Sequence, residues 1–389
     1  MLLPKEFIKS IKSQYIHFPF CKSLCNYCDF FRTPLTDTGL GQYESFLKNS
    51  ISQQNMLLEK KNLAFDQIET LYIGGGTPSL WGDSGVTFVE SEIIKKLPFA
   101  GQYEFTLEIN PGAWQAENLR HWRELGVNRF SVGIQTLSEK ILPFLSRAHN
   151  IEESYKTLEF LATSQINYSA DLMIGLPFSD VEQVDIISEL EKLISFHPSH
   201  ISLYILTPKD NYKYIDNLPC EDWIANQYLR AAQFLKSKKF HHYEVSNFAQ
   251  ENKKSLHNLK YWKAESVAAL GPSATGLLST PAQKLRYKWH HDLSQCQYDT
   301  EELTSEESQL EQLYLGLRTD EGISPSAFFN SEYYSAISAP DLLLRWNDFG
   351  YLEDKGRDKN RLRLTSNGML MLDSIMGDIF KFLKENNYA

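Results

Sequence analysis

Short apolar runs alternate with longer amphipathic stretches over the first two thirds of the chain. The runs are rich in Ile, Val, Tyr and Phe and mostly end at Gly, Pro or a polar residue, which is typical of strands. The predicted strands are Ser13–Phe18, Gln67–Ile73, Tyr103–Ile109, Arg129–Ile134, Ser169–Ile174 and His200–Leu206. The predicted helices include Tyr43–Lys60, Ala116–Glu124, Ile151–Thr163 and Val181–Phe196. This repeated order predicts a parallel sheet with helices outside it.

The predicted fold class is α/β. Six strands are fewer than a closed (β/α)8 barrel requires, so we expect a partial (β/α)6 TIM-like barrel whose functional residues follow the strand ends. After about Tyr243 the alternation stops. We therefore expect a barrel domain over 1–245 and a smaller C-terminal α+β domain over 246–389. Within the latter, Arg361–Thr365 is predicted as a strand and Gly368–Leu383 as a helix.

Composition narrows the classes of function. Hydrophobic residues make up 42% and charged residues 23% of the 389 residues, as in ordinary globular proteins. The formal charge of -10 argues against broad, nonspecific binding to nucleic acid. No apolar run is long enough to span a bilayer, and the N-terminus lacks the pattern of a signal peptide, so we expect a cytoplasmic protein with at most transient membrane contact.

Three of the five cysteines are clustered, as Cys21, Cys25 and Cys28 in a C-x3-C-x2-C pattern. An odd count without an export signal does not indicate a disulfide framework. Structural zinc usually takes four protein ligands, often from two C-x2-C pairs, and no second pair exists, although His17 lies nearby. The pattern therefore favours an iron–sulfur cluster over zinc, with one iron left open for a small molecule.

A C-x3-C-x2-C loop after a strand, flanked by aromatic residues, resembles the radical S-adenosylmethionine (SAM) superfamily. In that superfamily three thiolates hold a 4Fe–4S cluster and the open iron chelates SAM. The segment Gly74–Pro78 follows the second predicted strand and resembles the motif that binds the SAM amino group. Glycines alone would more often indicate a plain turn. No Lys-Ser or Lys-Thr follows them, so the segment is not a P-loop.

Further segments resemble one branch of the superfamily, the HemN/HemW group. They are L-E-I-N-P, V-G-I-Q-T, L-S-R-A-H, D-L-M-I-G-L-P, Y-E-V-S-N-F-A and H-N-L-K-Y-W, in the order of the group. By this resemblance, a set of residues occupies positions that contact SAM in the oxidases of the group: Tyr15, Tyr27, Gly75, Gly76, Thr77, Glu108, Gln135, Arg147 and Asp171. Some of those positions serve a second SAM there. His257, close to the aromatic residues Tyr261 and Trp262, is a candidate heme contact, and the alternative is a core histidine.

The group contains oxygen-independent coproporphyrinogen III oxidases and HemW-type heme chaperones. The oxidases read C-x3-C-x2-C-x-C and carry a longer N-terminal segment, whereas here Phe30 takes the fourth position and twenty residues precede Cys21. Both departures resemble the chaperones, which bind heme and are thought to pass it to apo-hemoproteins, often respiratory ones. The alternatives are an oxidase forming protoporphyrinogen IX and a radical SAM protein with another substrate.

One segment departs from the group. Where its members usually read G-P-G-A-H, this chain has Ser273 and Thr275 in place of the second glycine and the histidine. The segment after the sixth predicted strand, Thr207–Asp210, also differs from the usual E-P-G-T. We therefore expect this chain to differ from the rest of the group in the part of the pocket formed after the sixth predicted strand.

Overall fold

The computed structural model describes residues 8–280, 283–353 and 360–386. The strands are β1 (Ile8–Phe18), β2 (Phe20–Cys21), β3 (Thr33–Pro34), β4 (Leu63–Gly75), β5 (Phe99–Ile109), β6 (Arg129–Gln135), β7 (Tyr168–Ile174), β8 (His200–Ile205), β9 (His241–Glu244), β10 (Asn247–Ala249), β11 (Ala268–Leu270), β12 (Thr275–Ser279), β13 (Lys284–Trp289) and β14 (Tyr298–Leu303).

The helices begin after the second short strand. They are α1 (Asp37–Lys60), α2 (Gly82–Val89), α3 (Ala116–Leu125), α4 (Ile151–Thr163), α5 (Ile186–Ile194), α6 (Glu221–Ser237), α7 (Leu256–Trp262), α8 (Ser305–Leu317), α9 (Glu332–Ile337), α10 (Pro340–Asp348), α11 (Ser366–Leu370) and α12 (Leu372–Glu385).

A nine-stranded sheet forms the main body, in the order β11-β1-β4-β5-β6-β7-β8-β10-β9. The six predicted strands are its consecutive parallel members, with Tyr15 opposite Tyr72 and Gly133 opposite Asp171. The short strand β11 adds a seventh parallel strand beside β1, and β10 and β9 close the other edge in antiparallel pairing. The α/β fold with a parallel sheet, as in a partial TIM barrel, is thereby confirmed.

The sheet is buried because helices cover its outer face. Strand β6 is buried along six of its seven residues, up to Ile134, although Arg129 and Ser131 interrupt its apolar residues. Helix α4 begins where predicted because Asn150 and Glu153 form a capping box, in which each side chain accepts the backbone N–H of the other residue. Because the six barrel strands run parallel, their C-terminal ends, and with them the functional loops, lie at one edge of the sheet.

Three predicted elements differ in the structure. The helix predicted from Val181 begins at Ile186, because the preceding residues form turns in which Phe178 and Gln183 adopt positive φ angles. The strand predicted at 361–365 is reduced to isolated bridges that pair Leu362 with Ile323 and Leu364 with Leu352. The predicted C-terminal helix is divided at Met371 into α11 and α12.

The C-terminal part has its own small sheet and its own core. Strands β12, β13 and β14 form an antiparallel sheet, and helices α8 to α12 bury a cluster that includes Leu313, Trp346 and Ile379. Strands β10 and β11 of the main sheet lie after the expected domain boundary at residue 245. The division into domains 1–245 and 246–389 stays a prediction. Among the described residues, no helix combines the length and apolar character needed to cross a bilayer.

Candidate functional site

A loop directly after β1 carries the three clustered cysteines. Strands β2 and β3 pair at its base, Phe20 with Thr33 and Cys21 with Pro34, so the loop closes on itself. All three cysteines are free and line one cavity of about 430 Å³, which we call the cluster-loop cavity. It opens at the C-terminal ends of the parallel strands, where TIM-like folds carry their active sites.

Arg147 holds the cysteine loop against the sheet. Its guanidinium donates to the Asn110 side-chain oxygen and the Gly133 carbonyl, both at 2.6 Å. It also donates to the Tyr27 hydroxyl at 3.0 Å and contacts the Cys25 sulfur at 4.0 Å. A planar fork with several donors suits this bridging role.

His17 fixes the far end of the same loop. One ring nitrogen contacts the Tyr15 hydroxyl at 3.0 Å and the other the Phe31 carbonyl at 2.9 Å. Burial lowers the pKa of His17 to about 4, so the ring is neutral near neutral pH. Both nitrogens have partners within the fold, and the ring orders the loop rather than extending the cysteine set.

The glycine segment after β4 packs too closely for side chains. A Cβ at Gly75 would lie 2.4 Å from the His17 ring, and one at Gly76 would lie 2.5 Å from the Phe20 carbonyl oxygen. Gly75 also adopts a φ of +111°, which favours glycine. The Gly75 and Gly76 N–H groups already donate to Glu108 and to the Phe18 carbonyl. A polar ligand here would therefore meet carbonyl oxygens, which suit an amino group.

The carboxyl groups of Glu108 and Asp171 lie at the floor of the cluster-loop cavity. Glu108 accepts from the Tyr72 hydroxyl at 2.7 Å and from the Gly75 N–H at 2.8 Å. Burial raises the pKa of Glu108 to about 7, and the nearby Asp171 adds to this shift. Burial also raises the pKa of Asp171, although the hydroxyls of nearby serines stabilise its carboxylate. The floor can therefore accept positive charge from a ligand.

Most of the site residues expected from the sequence converge on this cavity. They are Cys21, Cys25, Cys28, Tyr27, Gly75, Gly76, Thr77, Glu108, Gln135, Arg147 and Asp171. Tyr15 is not among the lining residues and contacts His17 instead. Sequence reasoning missed Tyr72, Asn110 and Arg129, which also line the cavity. A polar residue within or just after each barrel strand is the pattern by which they could have been found.

His257 lies at the start of α7, behind Tyr72 and Tyr261, and does not itself line a cavity. Its side chain is 1% exposed, Nδ1 contacts the Thr70 hydroxyl at 2.8 Å, and the ring stacks on Tyr72 at 5.1 Å. The Glu104 carboxylate accepts the backbone N–H groups of Leu256 and His257, each at 3.0 Å. The ring is packed between sheet and helix, and it lines neither this cavity nor the one described next.

A second cavity, of about 1130 Å³, lies between the barrel and the C-terminal helices. We call it the C-terminal cavity. Its wall is formed by α7 (Tyr261, Trp262), β12, α8 (Tyr314) and α12 (Met376). Phe30, Tyr204 and Asn258 line both cavities, so the two adjoin.

The cysteine loop has the donor set that a 4Fe–4S cluster requires. Among the described residues, no three His, Cys, Asp or Glu side chains converge on one metal ion. A cluster does not need such convergence, because each thiolate binds a different iron. Burial raises the pKa of the Cys21 and Cys28 thiols, a shift that coordination to metal would reverse. Three thiolates on one loop, supported by Arg147 and Arg32, fit a cluster with one open iron.

Comparison with known proteins identifies the family. The model described as "Radical SAM superfamily" matches residues 15–190. The protein named "Heme chaperone HemW" from Lactococcus lactis subsp. lactis is 31% identical over 330 residues, covering 82% of this chain and 84% of the relative. The protein of the same name from Bacillus subtilis is 29% identical over 384 residues, covering 94% of this chain and 98% of the relative.

A solved structure shares the fold over nearly the whole chain. It is titled "Coproporphyrinogen III oxidase (HemN) from Escherichia coli is a Radical SAM enzyme". The TM-score is 0.77 at 17% identity, covering 97% of this chain and 92% of that one. At this identity the likeness concerns the fold, whereas the sequence matches define the branch. The chain therefore belongs to the HemW-type family of radical SAM proteins.

Proposed function

We propose that this protein is a heme chaperone, which binds heme and passes it to apo-hemoproteins while carrying a 4Fe–4S cluster and SAM. The observation that carries the proposal is Phe30. It stands where the oxidases of the group have a fourth cysteine, and its side chain is 67% exposed between the two cavities. The relatives named heme chaperones support the same choice.

The cofactor assignments follow from the cluster-loop cavity. Cys21, Cys25 and Cys28 would hold the cluster, and the carbonyl oxygens around Gly75 and Gly76 would accept the SAM amino group. Glu108 would balance the positive charge of SAM from the floor of the cavity. When bound, a reduced cluster supplies the electron that can cleave SAM. Arg147 keeps the loop and its thiolates in place for that cluster.

The remaining SAM positions are proposed from family resemblance and position. Tyr27, Thr77, Gln135, Arg147 and Asp171 line the cavity and can contact the cofactor directly. Tyr15 would not contact the cofactor directly. It would act by holding the His17 ring in place through the contact of its hydroxyl with Nδ1. We place the chaperone in the cytoplasm, and its acceptors would be apo-hemoproteins, including respiratory ones.

One experiment separates the chaperone from the oxidase. The cluster is reconstituted anaerobically, the protein is titrated with heme, and turnover is assayed with coproporphyrinogen III, SAM and reductant. The chaperone is expected to bind heme stoichiometrically and to form no protoporphyrinogen IX. Formation of protoporphyrinogen IX over several turnovers would overturn the proposal. A Cys28→Ser variant, expected to lose the brown chromophore, is the control for cluster assembly.

A further inference from the structure

The C-terminal cavity has the size and chemistry of a ligand site. Ligand pockets typically enclose about 300–1,000 Å³, and the 1130 Å³ here suffices for a large, flat molecule. Aromatic and aliphatic side chains dominate its wall, including Tyr261, Trp262, Tyr314, Leu277 and Met376. Such a wall packs well against the faces of an extended ring system.

Two buried donors at this wall have no acceptor. The Trp262 indole N–H and the Arg318 Nε–H make no hydrogen bond with any described residue. The Arg318 guanidinium lies 4.5 Å above the Trp262 ring, so the two donors belong to one patch. Unpaired buried donors are rare and costly, and a ligand carboxylate is the acceptor that would satisfy them best.

The other charged groups of the wall leave Arg318 as the available cation. Arg286 is already paired with Glu301 and Glu311. Glu244 lies 4.0 Å from Arg318, and burial raises the pKa of its carboxyl to about 7. At 4.0 Å no hydrogen bond joins the two groups, and the Arg318 Nε–H is left free to donate to an anion.

A glycine in the last helix lines the cavity and faces free space. Gly377 lies within α12 and lines the cavity, and a Cβ built there would meet no atom within 4 Å. Glycine inside a helix costs about 1 kcal/mol relative to alanine. Helix stability therefore disfavours glycine at this position, and the space beside Gly377 is free for a ligand.

We propose that the C-terminal cavity holds the heme, with at least one propionate at the Trp262–Arg318 patch and the ring against Tyr261, Tyr314 and Met376. This assignment rests on the proposed function. The heme would then lie next to the cluster-loop cavity, separated from it by Phe30, Tyr204 and Asn258. It would not contact His257, which lines neither cavity. Met376 is the one sulfur ligand among the described residues that line the cavity.

Cavity-filling variants test the location. Heme is titrated into the cluster-loaded protein and into Gly377→Trp, which fills the space above α12, and Thr275→Trp, which fills it from β12. Both are expected to bind heme at least about tenfold more weakly, because the new side chain excludes the ring. Gly41→Trp is the matched control, since Gly41 is also an exposed helical glycine with no neighbour within 4 Å of its Cβ and lines neither cavity.

Heme dimethyl ester tests the carboxylate patch. The wild type is expected to bind the ester about tenfold more weakly than heme, and Arg318→Gln is expected to bind the two equally. Circular dichroism and the cluster absorption check folding, and if one tryptophan variant does not fold, the other and the ester comparison decide. Wild-type affinity in the folded tryptophan variants, or a preference for heme retained by Arg318→Gln, would overturn the location. A wild type that binds no heme at all would instead reject the proposed function.

Discussion

Arg147 is the side chain on which the cysteine loop depends most. Its guanidinium joins Asn110, Gly133 and Tyr27, and it contacts the Cys25 sulfur. Lysine keeps the charge but cannot make these contacts together. We expect Arg147→Lys to lower the free energy of unfolding of the cluster-free protein by about 2 kcal/mol.

The measurement for this prediction is a urea titration, together with the rate at which the reconstituted cluster loses its visible absorption. Cluster loss should be faster in Arg147→Lys. The control is Arg120→Lys, because Arg120 is exposed and makes only long contacts, at 3.4 Å, with Glu117 and His121. Equal stability and equal cluster lifetime in the two variants would show that Arg147 does not order the loop.

Ser273 carries a strained backbone. It adopts a φ of +62°, where a non-glycine residue costs about 1 kcal/mol. Glycine adopts this conformation without that cost, so Ser273→Gly should stabilise the protein by about 1 kcal/mol in urea unfolding. Ser45→Gly, in the middle of α1, should instead destabilise it. Two shifts of the same sign would contradict this interpretation.

Glu108 should make stability depend on pH. Burial raises its pKa from 4.5 to about 7, so the folded protein holds this proton more tightly than the unfolded chain does. The stabilisation is therefore fully present below about pH 4.5 and is lost as the pH rises through about 7. Glu108→Gln should reduce the loss of stability between about pH 5 and about pH 8 by about 2 kcal/mol.

This prediction is checked by urea unfolding of the cluster-free protein at several pH values. Asp171, Arg129 and Tyr72 face the same carboxyl and are left intact. Glu117→Gln on the surface of α3 is the matched control for the loss of one carboxyl group. A Glu108→Gln profile that coincides with the wild type would contradict the assignment of the titration to this residue.

At the scale of elements, α7 is fastened to the sheet by its first residues. Glu104 accepts two of its backbone N–H groups, and His257 binds Thr70 and stacks on Tyr72. We expect His257→Ala to lower the free energy of unfolding by about 2–3 kcal/mol, because it leaves a cavity and an unpaired hydroxyl. The Soret band of the heme complex should keep its position, since His257 lies outside the heme cavity.

The control for this prediction is His121→Ala on the exposed side of α3. A shifted Soret band in His257→Ala, with the fold intact, would show that His257 ligates the iron. An unchanged free energy of unfolding would show that the ring does not fasten the helix.

The barrel elements could be predicted because each strand and helix carries its own local signal. The start of α5 could not, since Val181 continues an apolar pattern while the turns at Phe178 and Gln183 depend on packing. Strand β11 was missed because Ala268–Leu270 is too short to show a period. Its partner β1 lies more than two hundred residues away in the chain.

The same distinction, between what local sequence signals predict and what depends on tertiary packing, applies to the site. The residues of the cluster-loop cavity follow successive strands, so motif and strand order together were enough to bring them near each other. The position of His257 could not be predicted, because its burial depends on Thr70 and Tyr72 in a distant strand. The C-terminal cavity likewise combines β12, α7, α8 and α12, which only tertiary packing brings together.

At the scale of the whole molecule, the main feature is a pair of adjoining cavities. One presents three cysteines and a glycine segment, and the other presents an apolar wall on which the Trp262 and Arg318 Nε donors lack an acceptor. Phe30, Tyr204 and Asn258 form the partition. On the proposed function, this arrangement puts the cargo next to the cofactors.

Heme transfer tests the central claim most directly. The cluster-loaded protein is charged with heme and mixed with an apo-cytochrome b, and the Soret change is followed against acceptor concentration, with apomyoglobin as the scavenger that reports passive release. A chaperone should deliver heme to the cytochrome at a rate that rises with acceptor concentration and exceeds passive release. Transfer no faster than passive release at any acceptor concentration would contradict the account.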